Sequence, residues 1–354
     1  MNRHLQTSYL EDARLERRPG TRLFVSLLFG LLLTAPLVLN RFLIGELSLI
    51  LIYGIASIGL MILVGFSGQL SLGHAAFLGI GAYTHALLLS SQVPLIMALL
   101  GGGAVAGMAG LLVALPAVRM SGVYVAIVTL TFSLICEQVL IHWRSITGGF
   151  GGMRVPSPTM LGFDLSKPVA FYLLCLTLLS LTIIVANNIL RGRSGRAWVA
   201  IRESELAARS MGIPVGGYKI LAFGVSGFFT GIAGALFAHH LGYLSPDAFR
   251  YPTSVLLLLM VVVGGLGSLA GALTGAVVVG LLPQGLAMLR DTLPPALGEQ
   301  PGLEPGLFGF ILVATIIFEP TGLYGRWRRL LETARSFPLR AHPGRRAPSR
   351  HNKR

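Results

Sequence analysis

The side chains of this sequence that could do chemistry sit in two short stretches. The first is Gly65-Phe-Ser-Gly-Gln-Leu-Ser-Leu-Gly-His74, where Ser67, Gln69, Ser71 and His74 set hydroxyl, amide and imidazole groups among three glycines. These groups can hydrogen-bond a polar solute, but no carboxylate or thiol stands beside them for acid–base or metal work. The second is 191–219, where Arg191, Arg193, Arg196, Arg202, Arg209 and Lys219 surround Glu203 and Glu205. Neither stretch is a catalytic constellation. The sequence holds no G-x-x-x-x-G-K-[ST] phosphate loop, no H-E-x-x-H and no nucleophile elbow. Cys136 and Cys175 fall inside apolar runs without metal spacing and read as packing residues. His239 and His240 are adjacent, so on a helix they point in different directions and make a poor metal pair. The expectation is therefore a chain with no catalytic residue, no metal site and no bound cofactor.

The elements that must position these residues are membrane helices. Charged residues make up 12% of the 354 residues and the hydrophobic types 53%. That leaves too little polar material for the shell of a soluble protein. The apolar stretches are continuous, which excludes the alternation of a membrane β-barrel. With about 20 residues needed per crossing, the expected spans are 23–39, 43–64, 72–91, 94–116, 121–141, 169–190 and 220–241. They continue through 253–289, broken near 266 by glycines, and end with 306–320. The fold class is all-α and polytopic, with about ten transmembrane helices.

Most of the 28 Lys and Arg fall in three zones: the polar leader 1–22, the loop 191–219 and the tail 326–354. Basic loops mark the cytoplasmic side. Ten spans starting inside return the chain to that side at Arg191 and again at Arg326, so both termini are expected to be cytoplasmic; eight spans satisfy the same parity if 253–289 is read together with a neighbour. The transmembrane domain is then 23–325, and the basic tail is expected to be disordered. The net charge of +14 reads as topology and lipid contact, with no folded basic module for nucleic acid. No Asp, Glu, Lys or Arg falls at an expected mid-membrane depth, which disfavours an ion-coupled carrier.

Two readings of 65–74 stand on the residues alone. It is a broken element lining a translocation path, exposing helix ends to a polar solute, or it is a polar turn at the cytoplasmic surface. For His74 a helix-start or hydrogen-bonding role outweighs a ligand role. Gly65-xx-Gly68 is echoed by Gly264-xx-Gly267, compatible with two parallel repeats. Gly103-xxx-Gly107, Gly227-xxx-Gly231 and Gly267-xxx-Gly271-xxx-Gly275 carry the spacing of close helix packing. In the basic loop, residues 196–211 mix helix formers with both charges and stop at Gly212 and Pro214, which suits an amphipathic helix pair that docks a soluble partner or lies on the membrane surface.

Three segments resemble the LivM-type permeases of branched-chain amino acid ABC importers. They are Gly68-Gln-Leu-Ser-Leu-Gly-His-Ala-Ala-Phe-Leu-Gly-Ile-Gly-Ala-Tyr83, the run from Gly195-Arg-Ala-Trp through Ile213, and Gly264-Gly-Leu-Gly-Ser-Leu-Ala-Gly-Ala272. They occur in the family's order, with Thr147-Gly-Gly between them, over roughly residues 40–325. The resemblance implies a second permease, two cytosolic ATPases that use ATP and Mg, a periplasmic solute-binding protein, and a bacterial inner membrane. It assigns ATPase coupling to Glu205, Ala207, Ala208 and Gly212, with Arg202 beside them. It assigns the translocation path to Gly68, Gln69, Ser71, Gly73 and His74. Relatives of this kind also import urea, short amides and aromatic acids, and no residue settles the choice. A passive channel and an ion-coupled carrier are the rival classes.

Overall fold

The computed structural model describes residues 30–120, 122–157, 159–160, 163–165, 167–283, 285, 303–318 and 322–327. The leader 1–22, Glu319, the end of the 253–289 run and the tail beyond Trp327 lie outside them. Within them the chain is almost entirely helical. The helices are α1 (30–38), α2 (Arg41–Leu60), α3 (His74–Ser90), α4 (Leu95–Ala117), α5 (Val123–His142) and α6 (Pro168–Arg191). Two short helices follow, α7 (Arg193–Glu203) and α8 (Glu205–Ser210), then α9 (Val215–Leu241), α10 (Tyr251–Gly264), α11 (Leu269–Gly280) and α12 (Leu303–Phe318). The described part of each expected span falls on these helices, that of 253–289 on both α10 and α11.

Among the described residues six helical stretches are long and apolar enough to cross a membrane: Arg41–Phe66, Leu95–Ala117, Val123–His142, Pro168–Arg191, Val215–Leu241 and Pro246–Gly264. The others are shorter, and two are shortened for one reason: a glycine-marked break separates α2 from α3 and α10 from α11. Large apolar side chains such as Leu112, Ile127, Leu181 and Ile184 point outward. An apolar outer surface of this kind suits lipid or a partner subunit.

α9 is the hub. It packs against α4, α3 and α2, and from Phe229 to Ala238 every residue is buried. The approach is close because small residues face one another. A Cβ on Gly227 would lie 2.6 Å from the Ala106 carbonyl oxygen, and one on Gly231 would lie 2.8 Å from that of Gly102. Glycine thus lets α4 and α9 touch backbone to backbone. Away from α7 and α8, the two-residue strands Met153–Arg154 and Tyr243–Leu244 pair antiparallel. Nearby, Arg250 Nε donates to Glu137 Oε1 at 3.0 Å, tying the start of α10 to α5.

Candidate functional site

The break after α2 begins inside the helix. Residues Met61–Phe66 widen into a π-turn, with Ser67 N–H donating to the Ile62 carbonyl at 3.1 Å and Gln69 N–H to that of Leu63 at 3.0 Å. Gly68 then turns the chain with φ +72°, a conformation that costs little only for glycine. Backbone freed in this way must find partners when buried. Leu72 N–H donates to Thr129 Oγ1 of α5 at 3.0 Å. Gly73 supplies no side-chain cap to α3, so Ser254 of α10 serves instead, its Oγ accepting from Ala75 N–H at 2.8 Å.

His74 opens α3 and is fully buried. Its Nδ1 lies 2.9 Å from Ser71 Oγ and its Nε2 2.7 Å from Ser226 Oγ of α9. Two hydroxyls can each give or take a proton, so the neutral ring is satisfied in either tautomer. Gln69 Nε2 donates to Ser67 Oγ at 2.7 Å. Its Oε1 and the Ser133 hydroxyl on α5 are buried with no hydrogen-bond partner among the described residues. Of the five sequence-picked residues, Ser71, Gly73 and His74 share one polar knot, while Gln69 bonds Ser67 and Gly68 turns the chain beside Arg202. Thr129, Ser226 and Ser254 complete it, and sequence reasoning missed all three. A lone Ser or Thr in an apolar run carries no local signal of its partner.

The second break, 265–268, has a different make-up. Ser268 caps α11, accepting from Gly271 N–H at 3.3 Å, and Gly267 N–H reaches Met61 Sδ at 3.3 Å. Arg202 Nη1 stands beside Gly267, and the other close approaches here among the described residues are to backbone. A Cβ on Gly264 would meet the Gly271 carbonyl oxygen and stand 2.9 Å from Gly275 N. The two breaks lie side by side: a Cβ on Gly65 would be 2.8 Å from Gly267 N.

α7 and α8 close over this end of the bundle as a rigid cap. Trp198 is fully buried, and its Nε1–H donates to the Tyr218 carbonyl at 2.8 Å. Ile201, Ala208 and Val215 form a small apolar core beneath the cap. Ser204 caps α8, accepting from Ala207 N–H at 3.2 Å. Glu205 forms an ion pair with Lys219, whose ammonium is almost wholly buried, and lies 3.9 Å from Arg209. Of the residues assigned to coupling, Ala208 is thus buried, Glu205 faces inward to Lys219, and Ala207 and Gly212 are exposed. Arg202 is exposed along part of its length, but its Nη1 reaches the bundle and donates to the Gly65 carbonyl at 2.7 Å. Trp198 and Arg202 are i, i+4 neighbours on α7, the first buried and the second at the edge of the same face. The outward apolar side chains are Leu206 and Met211, each 78% exposed.

Among the described residues no cluster of three His, Cys, Asp or Glu could hold a metal. His239 pairs with His85 instead, Nε2 to Nε2 at 2.8 Å, while His240 sits apart on the next position.

Membrane-length helices around two juxtaposed breaks, one polar and one bare, under a charged cap define a polytopic helical permease. Residues 42–318 match the family described as branched-chain amino acid transport system / permease component. The chain is 35% identical to the high-affinity branched-chain amino acid transport permease LivM of Escherichia coli, covering 85% of this chain and 74% of that protein. It is 34% identical to LivM of Salmonella typhimurium over the same shares. It is 27% identical to the ribose import permease RbsC of Haemophilus influenzae, over 66% of this chain and 74% of that protein. No solved structure matches. The chain belongs to the branched-chain amino acid transport permease family. It is a multi-pass permease subunit of an ABC importer, a transport subunit and not an enzyme.

Proposed function

We propose that this chain carries branched-chain amino acids across a bacterial inner membrane as one half of a permease heterodimer. Two cytosolic ATPases drive it with ATP and Mg, and a periplasmic binding protein delivers the solute. The termini and the α7–α8 cap face the cytoplasm. The likeness to the two LivM permeases carries the substrate reading. The path runs along the first break, where Gly68 and Gly73 release the backbone, Gln69, Ser71 and His74 supply polar side chains, and the buried Gln69 Oε1 and Ser133 hydroxyl have hydrogen-bonding capacity left for a solute's polar end. Weak, dispersed polar contact suits passage, since a tight site would oppose release.

The cap is the ATPase dock. Glu205 supports it from within through Lys219, while Leu206, Ala207 and Met211 meet the partner. Exposed apolar side chains on a rigid charged helix pair are what a soluble groove would take up. Uptake by the reconstituted complex tests the substrate: leucine, isoleucine and valine accumulate with ATP and binding protein, and uptake of urea, short amides or aromatic acids alone would overturn the assignment. Leu206→Glu tests the dock. It removes the ATPases from the purified complex while the permease stays folded, and undiminished co-purification would move the dock elsewhere.

A further inference from the structure

The two breaks lie far apart in the chain, yet one side chain touches both. The Arg202 Nη1 that donates to the Gly65 carbonyl also stands 3.0 Å from where a Cβ on Gly267 would be. The stem of the same side chain crosses Gly68, where a Cβ would lie 2.9 Å from Arg202 Cγ and 3.3 Å from its Cα. Gly68 and Gly267 both have positive φ, +72° and +81°. Each presents a face without a Cβ to the arginine, one to its stem and one to its head.

The electrostatics agree with the packing. α2 with its π-turn and α10 both end at these breaks, and a helix C-terminus carries unpaired carbonyls and partial negative charge. A cation between two such ends is favoured by both. The remaining nitrogens are held as well, Nε and Nη2 donating to Glu203 Oε1 at 3.2 and 2.7 Å. This use of the fork fixes the guanidinium plane in a way a lysine ammonium does not. The cap that carries Arg202 is itself anchored by buried Trp198 and by the Glu205–Lys219 pair. A displacement of the cap therefore reaches the guanidinium with little slack.

We propose that Arg202 is a positioning residue that binds both helix breaks at once, so that movement of the α7–α8 cap opens or closes them together. The proposal rests on the reading of that cap as the ATPase dock, and it assigns the step from dock to path. One arginine replaces two separate linkages, and the sequence echo of the two glycine breaks gains a mechanical purpose: both must leave room for the same side chain.

The test labels the tips of the breaks in the assembled complex. Leu70 and Leu266 are 42% and 49% exposed. Each is replaced by cysteine in turn, with Cys136 and Cys175 changed to alanine, and maleimide labelling rates are compared without nucleotide and after trapping with ATP and vanadate. With Arg202 in place, both rates shift on trapping. Arg202→Ala abolishes the shift at both positions and lowers uptake per ATP roughly tenfold, within the usual range of coupling between sites. Arg202→Lys falls between the two. Arg202→Gln, a milder change that tests the same point if the alanine variant fails to assemble, loses the shifts as well. Full shifts at both tips in either neutral variant overturn the latch. Absence of any shift with Arg202 in place overturns the docking reading, and the latch with it. Labelling is indifferent to the solute carried, so an error in substrate assignment leaves this test intact.

Discussion

The two breaks resemble each other in sequence and are held by opposite means. At the first, side chains from three helices reach in: Thr129 from α5 and Ser254 from α10 accept from backbone N–H groups that glycine has released, and Ser226 from α9 bonds the His74 ring. At the second, Gly264, Gly271 and Gly275 let backbone touch backbone; among the described residues Ser268 and Met61 accept its N–H groups, and Arg202 Nη1 stands beside Gly267. The same Gly-xx-Gly signal thus marks a break held by polar side chains in one place and a close backbone crossing in the other. The contrast sets a hydrogen-bonded knot beside a steric fulcrum.

If the second break is a steric fulcrum, filling its glycines should do the greatest damage. A Cβ on Gly275 would run into the Met260 carbonyl oxygen, so Gly275→Val must push α10 and α11 apart. Overpacking of this kind costs about 3 kcal/mol, read as a lowered thermal midpoint of the purified complex. A Gly275→Val complex of full stability would mean that the crossing is loose and the contrast with the first break unfounded.

At the first break the expected damage is chemical. His74→Ala leaves the Ser71 and Ser226 hydroxyls without their shared partner in a buried site, at about 2 kcal/mol. His74→Asn, which can still bond one of them, should recover part of that loss. The comparison sharpens if uptake falls further than stability does, because the knot then shapes the path as well as the fold. An alanine variant that loses no stability would reduce the network to incidental contact.

The sequence made much of this legible through composition and periodicity. Apolar runs located the helices to within a few residues, and glycine spacing located both breaks, because each signal is local. The partners of the breaks were not legible. Ser226 is 152 positions from His74 and Ser254 is 179 from Ala75, and nothing near a single serine in an apolar run names the helix it will face. The cap shows the limit from another side. Its charge pattern gave an amphipathic pair, yet Glu205 faces a buried Lys219 and Arg202 faces the breaks. Charge alone does not tell a solvated carboxylate from one folded back on its own chain.

The smallest effects come from the two glycines that flank Arg202, and their ranking tests whether the breaks bear on that side chain differently. Both sit at positive φ, so an alanine at either one pays about 1 kcal/mol of backbone strain. Beyond that the sites diverge. At Gly68 the new methyl meets Cγ at 2.9 Å and the Arg202 backbone at 3.3 Å, and a backbone anchored by Trp198 has little room to retreat. At Gly267 the close contact is Nη1, at 3.0 Å, with the Gly65 carbonyl oxygen at 3.7 Å, and a side-chain tip gives by a few tenths of an ångström at less cost than a backbone. Gly68→Ala should therefore lower the thermal midpoint more than Gly267→Ala, and the gap should narrow in an Arg202→Ala background, which removes the Cγ and Nη1 contacts and leaves the 3.3 Å approach to the residue 202 backbone. A gap of unchanged size without the arginine side chain would place the difference in the loops themselves.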